Sequence, residues 1–511
     1  MEVEEYNLEF VDRVLDPVHG FIDLTKVERR IYQLPIFRRL ESIKQLSVTN
    51  WVFPGAEHTR YIHSLGVMFI CDEMARNLKR LDGTPRFNDG QRQILRLAGL
   101  LHDIGHYPLS HVTEEVYMDE EKLRKKDPDI LLAYHRSMID AIDKLQEPET
   151  PEYMSSRISK PLHHEKMGMD VILSDNTIQK IIKEECPFVR IQDICDIIIG
   201  SVENIRDPET QEVNQDLSVM VQLMHSELDA DGIDYIFRDA SFSGTSYGAF
   251  TLGLLLRNLV VSEYNGIEVV GVRAKGISVA DQYLYCKYFS YTQVIFNRHV
   301  SILELMVKLI IRTLISREID KGFYEPDVLR TYVSKHENVD DYLKFTDRKF
   351  WSCLDNQDAE HIAIKGEAIR TIFNCLTNYK EIPMMNRPGG EMVLNVPNAQ
   401  EAYRIIVDSP LYKRLKEFPN DEIFTFHSRK LASEIKEEVF REILEKLSNG
   451  AIEEGYFIQQ NLRRLQEGIC IIEPDEDIHL LVDDPRSVMH NDLSATYFFR
   501  GYSIKEVEDP T

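Results

Sequence analysis

In the stretch QILRLAGLLHDIGH an apolar helical stripe runs directly into a His-Asp pair. Ile94, Leu97, Ala98 and Leu101 fall at the i, i+3, i+4, i+7 spacing of a helix with one buried face. The stripe delivers His102 and Asp103 to its carboxyl end, where Gly105 and Pro108 stop the helix. Polar side chains buried at such a point need partners. Adjacent helical residues diverge by about 100°, so this pair meets a common ligand only at a helix end or kink.

Two further segments carry matching donors: HTRYIHSLG with His63, and ELDADGIDY with Asp231. Two imidazoles and two carboxylates are nitrogen and oxygen ligands of intermediate hardness, suited to one divalent iron, manganese, zinc or magnesium ion with positions left open for water and substrate. His63, His102, Asp103 and Asp231 are the candidate ligands. Taken singly, each histidine also reads as a helix cap or a hydrogen-bonded core residue. The four together favour a site, because ionisable groups with strong mutual coupling cluster where chemistry is done.

Composition narrows the class. A chain of 511 residues can bury a large core plus an accessory lobe. The net charge of −25 argues against a general grip on nucleic acid, whose phosphates are held by Lys and Arg. A local cation cluster can still take a small polyphosphate. The acidic amino terminus lacks signal-peptide regions, and apolar runs such as LGLLLRNLVV are broken by Arg257, so neither secretion nor a membrane span is expected. The seven cysteines include no CxxC pair and read as reduced core thiols of a cytoplasmic protein.

Helical spacing dominates from about Thr25 to Leu46, Ser64 to Leu81, Asn88 to Leu101, Glu165 to Leu173 and Asp216 to Ile236. Turns are expected at Pro54-Gly55 and Asp82-Gly83, and a peripheral helix or mobile cover between Asp119 and Pro161. Two β-rich runs flank Asn265-Gly266, a dipeptide suited to a two-residue hairpin. A long helix from Ser278 to Arg317 follows, then short helices and loops with a flexible turn at NRPGGE. A helix from Arg429 to Leu447 and strand-like GICIIEP and IHLLVDD close the chain.

The ordered blocks DPVHGFIDL, FRRLESIKQL, FPGAEHTRYIHSLGV, AGLLHDIGHYPLSH and DADGIDYIFRDASFSGTSYG resemble the HD-domain deoxynucleoside triphosphate triphosphohydrolase family. The likeness is closest from Arg13 to Arg298 and shows no sterile-alpha-motif domain. It implies a mostly α fold, with an HD helical core, a small β-hairpin and a mixed α+β carboxyl lobe. The corresponding division is a core at residues 1–318, with the effector region at its amino end, and an accessory or oligomerisation lobe at 319–511.

By that resemblance His106, His111 and His164 face the α-phosphate. His111, steered by Glu114, becomes the proton donor to the departing sugar oxygen, a role imidazole suits near neutral pH. Gln45, Leu46 and Asp239 match residues around the sugar, and Tyr235 one that packs under its 2′-carbon. Arg60 matches one beside the α-phosphate. The family's usual lysine after the last metal aspartate is Gly232 here, which leaves Lys287 and Arg298 as candidate phosphate contacts. Gln33, Arg38 and Glu41 depart from the family's activator pattern, while Asp16 and His19 remain as effector candidates. The partners so implied are deoxynucleoside triphosphates, a nucleotide effector and further copies of the chain, a tetramer being favoured. The implied reaction releases deoxynucleoside and inorganic triphosphate, in nucleotide-pool control or antiviral defence. An HD phosphodiesterase or nuclease, and a non-catalytic nucleotide-sensing scaffold, are the competing readings.

Overall fold

A computed structural model describes residues 5–118, 130–146, 162–200, 212–316, 328–329, 331, 339–355, 372, 388–417, 422–430, 454–490 and 495–503. Helices make most of it, with three small sheets.

The described chain opens with a hairpin in which Phe10–Asp16 pairs antiparallel with Gly20–Thr25. Thr25 then begins a helix through a reciprocal cap with Glu28. The single helix expected to Leu46 is instead three short pieces, Lys26–Tyr32, Pro35–Arg38 and the 3-10 turn Arg39–Ser42. Pro35 is the cause, since it lacks a donor for the preceding turn and fits only the start of a new helix.

Helices Arg60–Asn77 and Asp89–Leu101 pack together at the centre. The second starts at a capping box between Asn88 and Gln91 and ends at Leu101, with His102 as its C-cap. The expected Asp216–Ile236 helix divides into Gln215–His225 and Ala230–Ser243. Asp229 caps the second piece by accepting from the Gly232 N–H at 2.6 Å. The division puts Asp231 in a first helical turn rather than mid-helix.

Strands Leu259–Tyr264 and Ile267–Arg273 form the expected hairpin, with Asn265 at φ 50° and Gly266 at φ 76°, the left-handed pair that such a turn requires. The hairpin lies in a five-stranded sheet completed by Lys79–Arg80 on one side and by Cys470–Ile472 and Ile478–Leu480 on the other. Strands from beyond residue 318 thus share a sheet with the amino-terminal part. The expected Ser278–Arg317 helix is interrupted: Ile277–Ser290, a π turn at Tyr291–Ile295, then Arg298–Ser316.

A second sheet is antiparallel, with Ala495–Ser503 between Pro388–Val396 and Glu422–Lys430. Pro388 and its glycines, expected in a flexible turn, open a paired strand, and Arg429 belongs to a strand rather than to the start of a helix. The rest of that expected helix lies outside the described residues. Helix Ile130–Asp143 packs Met138 and Ile142 against this sheet, in a small core with Ile406, Leu415, Phe424 and Phe499. The larger core surrounds the central helices. Each aliphatic side chain fully removed from water there contributes about 2 kcal/mol. Six of the seven cysteines are buried, and Cys375 lies outside the described residues. Among the described residues no helix is long and apolar enough to cross a membrane.

Candidate metal and phosphate site

Three helix ends converge on one point. Arg60–Asn77 brings His63 one turn from its start, Asp89–Leu101 ends at His102, and Ala230–Ser243 begins with Asp231. His63 Nε2 lies 2.9 Å from Asp231 Oδ1, and His102 Nε2 lies 3.9 Å from the same oxygen. Asp103 is 3.8 Å from His63 Nε2 and 3.5 Å from His102 Nε2. Both Nε2 atoms are buried; His63 Nε2 is paired with the Asp231 carboxylate, whereas His102 Nε2 makes no hydrogen bond, which costs about 1–3 kcal/mol unless a ligand satisfies it. His63, His102 and Asp231 present donor atoms close enough to share one ion.

The opposite ring nitrogens are fixed. His102 Nδ1 donates to Gly99 O at 2.8 Å, and His63 Nδ1 is 2.7 Å from Asp234 Oδ2. Each contact turns Nε2 toward the gap, as is usual for metal-binding imidazoles. Burial opposes a charge on His63, but Asp231 and Asp234 outweigh it and push its pKa up to about 10.

Asp234, which sequence reading missed, is fully buried and also accepts from Arg238 Nε at 2.8 Å and Nη2 at 2.9 Å. His19 Nε2 meets it at 2.5 Å, and Arg238 Nη1 donates to Asp16 Oδ2 at 2.8 Å. Asp16 and His19, expected to face an effector, are therefore turned inward to support His63. Opposite charges four apart on one helix, Asp234 and Arg238, were the available signal.

Arg60 is buried and donates from Nη1 to Asp103 Oδ2 at 2.8 Å and from Nε to Ser110 Oγ at 2.9 Å. Burial alone would raise the Asp103 carboxyl, but the Arg60 guanidinium holds it well below the usual range. Leu109 and Ser110 adopt positive φ values of 55° and 53°, strained for these residues. Asp347 from the distant carboxyl half holds this turn by accepting from Leu109 N at 2.7 Å and Lys44 N at 3.0 Å.

Beside the first cluster lies a second, made of His106, His111, Glu114 and His164. Glu114 is the hub: Oε2 is 2.7 Å from His111 Nδ1, and Oε1 is 2.7 Å from His164 Nδ1. Burial lowers the His164 pKa, yet Glu114 overrides it and pushes it up to about 9. His106 stacks on His164 with ring centroids 4.4 Å apart. Burial and then Arg60 hold His106 neutral. Its Nδ1 accepts from Tyr107 N at 3.0 Å, which leaves the proton on an Nε2 that is buried without a partner. The His111 side chain is 58% exposed, the one ring of this cluster open enough to trade protons with a bound molecule. His164 Nε2 is 4.0 Å from Asp103 Oδ1, so the two clusters adjoin.

The remaining expected residues divide. Gln45 is buried, with its Oε1 unpartnered, and its carbonyl faces Arg60 Nη2 at 3.5 Å. Leu46 and Tyr235 are half-buried. Asp239, expected to bind a sugar hydroxyl, already meets the buried His58 Nε2 at 2.7 Å. Lys287 is spent on Glu227, 3.0 Å from its carbonyl and 3.1 Å from its carboxylate. Arg298 is exposed at the start of its helix. Arg429, unforeseen, lies with its guanidinium carbon 3.8 Å from the Tyr291 ring centre, its Nε buried and without a hydrogen bond. Burial raises the Tyr235 hydroxyl, and Arg429 is among the charges that bear on it.

Residues 60–198 match the protein-family model of the HD domain. An uncharacterized Bacillus subtilis protein, YwfO, is 26% identical over 366 residues, 70% of this chain and 69% of that protein. The chicken deoxynucleoside triphosphate triphosphohydrolase SAMHD1 is 48% identical over 99 residues, a stretch that is 19% of this chain and 16% of that protein. The crystal structure of a hypothetical Aquifex aeolicus protein superposes with a TM-score of 0.59 at 21% identity, covering 96% of each chain, which establishes a shared fold. Residues 60–198, which contain His63, His102 and Asp103, therefore carry an HD domain, and over that region the chain resembles deoxynucleoside triphosphate triphosphohydrolases.

Proposed function

We propose that this protein hydrolyses deoxynucleoside triphosphates to deoxynucleoside and inorganic triphosphate at the two adjoining clusters. The observation that carries the reading is the pair of buried Nε2 atoms of His63 and His102 converging on Asp231 beside Asp103, next to a Glu114-organised histidine cluster. The 48% identity to a named triphosphohydrolase over 99 residues supports the substrate class.

His63, His102 and Asp231 would hold the ion, with Asp103 within reach of both imidazoles. A divalent ion bound there supplies Lewis acidity toward water and toward a phosphoryl oxygen. Arg60, already anchored by Asp103 and Ser110, offers positive charge to the α-phosphate. His106 offers its Nε2–H to a phosphate oxygen. Glu114 holds His111 by Nδ1 and leaves its Nε2 to deliver a proton to the sugar 5′-oxygen as that bond breaks. Tyr235 walls the sugar and disfavours a 2′-hydroxyl, because an added oxygen there loses contacts and gains no partner. Homotetrameric assembly and nucleotide activation are parts of the same proposal, carried by the family likeness.

His102→Ala and Asp103→Ala test it. Both variants are expected to keep the helical circular-dichroism spectrum and to lose metal-dependent phosphate-ester hydrolysis. Full activity in either refutes the ligand assignment. The phosphodiesterase alternative draws on the second four-residue cluster, whose donor atoms also lie close enough for an ion. Two tightly bound ions per chain by elemental analysis would favour it.

A further inference from the structure

Away from these clusters, a cavity of about 180 Å³ lies between the His111–Met118 helix, the Arg298–Ser316 helix and strand Glu422–Lys430. Ser301, Lys308 and Arg312 reach it from one stripe of the long helix, at i, i+7 and i+11, with Leu305 and Leu309 beneath. Thr425 and His427 come from one face of the strand, where alternate residues point the same way. Glu115 lies at the rim with its side chain 58% exposed.

The wall is polar and incompletely satisfied. The Ser301 hydroxyl belongs to a residue only 2% exposed and has no hydrogen-bond partner, and His427 Nε2 is likewise buried and unpartnered. Leaving such groups unmade costs about 1–3 kcal/mol each, which a ligand would recover. Lys308 Nζ donates to Glu115 Oε2 at 2.6 Å, one of the three hydrogens of an ammonium. Burial and the neighbouring Lys308 pull the His427 pKa down to about 3, so the ring is neutral at physiological pH and competes with no cation. Its position is fixed by stacking on Phe296, with ring centres 4.7 Å apart.

We propose that this cavity binds the phosphate group of a small phosphorylated ligand, with Lys308 and Arg312 supplying charge and Ser301 and His427 supplying hydrogen bonds. A carboxylate is matched by one planar guanidinium fork. Here the polar groups come from two separate elements and surround a space, which suits an oxyanion with acceptors on several sides. The volume admits a phosphate or diphosphate group. Glu115 is the residue next to Glu114, so this site and the histidine cluster share one helix.

The test is calorimetric titration of the full chain, with metal chelated, using orthophosphate, ribose 5-phosphate and inorganic triphosphate in separate arms. Saturable binding of at least one is expected, and the arms distinguish the free anion from an esterified one. Lys308→Met and Ser301→Ala are expected to weaken it by about tenfold or more, whereas Arg60→Ala, at the other site, leaves it intact. Should Lys308→Met fail to fold by circular dichroism, Ser301→Ala decides alone. Absence of saturable binding in all three arms, wild-type affinity in the folded variants, or loss in Arg60→Ala instead would each overturn the assignment.

Discussion

His63 Nδ1 lies 2.7 Å from Asp234 Oδ2 while its Nε2 faces Asp231 at 2.9 Å, so one imidazole joins the carboxylate that orients it to the carboxylate with which it would share an ion. Such supporting contacts typically govern metal affinity by about 10- to 100-fold. Asp234→Asn keeps the shape and most hydrogen bonds of the site but removes the charge that fixes His63. Competition against a chromogenic chelator should show metal affinity at least about tenfold weaker. Unchanged affinity would mean that Asp234 serves the fold alone.

Gly105 separates the His-Asp pair from His106 at a point where backbones touch. A methyl group there would lie 2.1 Å from Gly168 N and 2.4 Å from His164 O, and backbone atoms cannot swing aside. Gly105→Ala should therefore displace the His164–Ser174 helix. The expected cost is on the order of 3 kcal/mol, seen as a lower melting temperature together with reduced activity. A variant as stable and active as the parent would contradict the packing described.

The sequence carried the centre of this arrangement further than its edges. The apolar stripe ending at His102 and the Asn265-Gly266 turn rest on local rules, and the structure bears out both. Segmentation failed where apolar periodicity ran through a break. Asp229 carried a start signal inside the expected Asp216–Ile236 helix, and the π turn at Tyr291–Ile295 left no break in the apolar pattern. Asp234, His58 and Arg429 escaped because their meaning depends on partners up to 215 residues away in sequence. Arg429 in addition lies on a strand whose pairing with Ala495–Ser503 no local pattern reveals.

Glu28 and Arg96 form a buried pair joined by two hydrogen bonds of 2.7 Å. Burial disfavours the Glu28 charge, but Arg96, with Thr25 and Gln93, overcomes it and lowers the pKa below 4.5. A lowered carboxyl pKa means that the unfolded chain binds the proton more readily. The stabilisation is complete above the unfolded value and is lost as pH falls through the folded one. Denaturant titrations should show stability declining below about pH 4.5, and Glu28→Gln should remove that part of the decline. The same variant weakens the fold near neutral pH by about 3 kcal/mol or more, having left Arg96 partly uncompensated. A neutral-pH stability equal to the parent's would exclude this role.

Arg429 stands over Tyr291 with no hydrogen bond from Nε, whereas Lys287, the cation expected from sequence, is held by Glu227. If the triphosphate tail extends past Tyr235, Arg429 is placed to receive it. Arg429→Ala should raise KM about tenfold with a smaller effect on kcat, and Arg429→Lys should restore part of the loss by keeping the charge. Equal KM values across the three proteins would remove Arg429 from the substrate path.

The products released from a deoxynucleoside triphosphate separate triphosphohydrolysis from other phosphate-ester chemistry at this site. The metal-loaded protein is incubated with each deoxynucleoside triphosphate, singly and in mixtures, and the products are separated by ion-exchange chromatography. The account predicts deoxynucleoside and inorganic triphosphate in equal amounts, abolished by His102→Ala. Turnover of a phosphodiester with no triphosphate released from any mixture would contradict it.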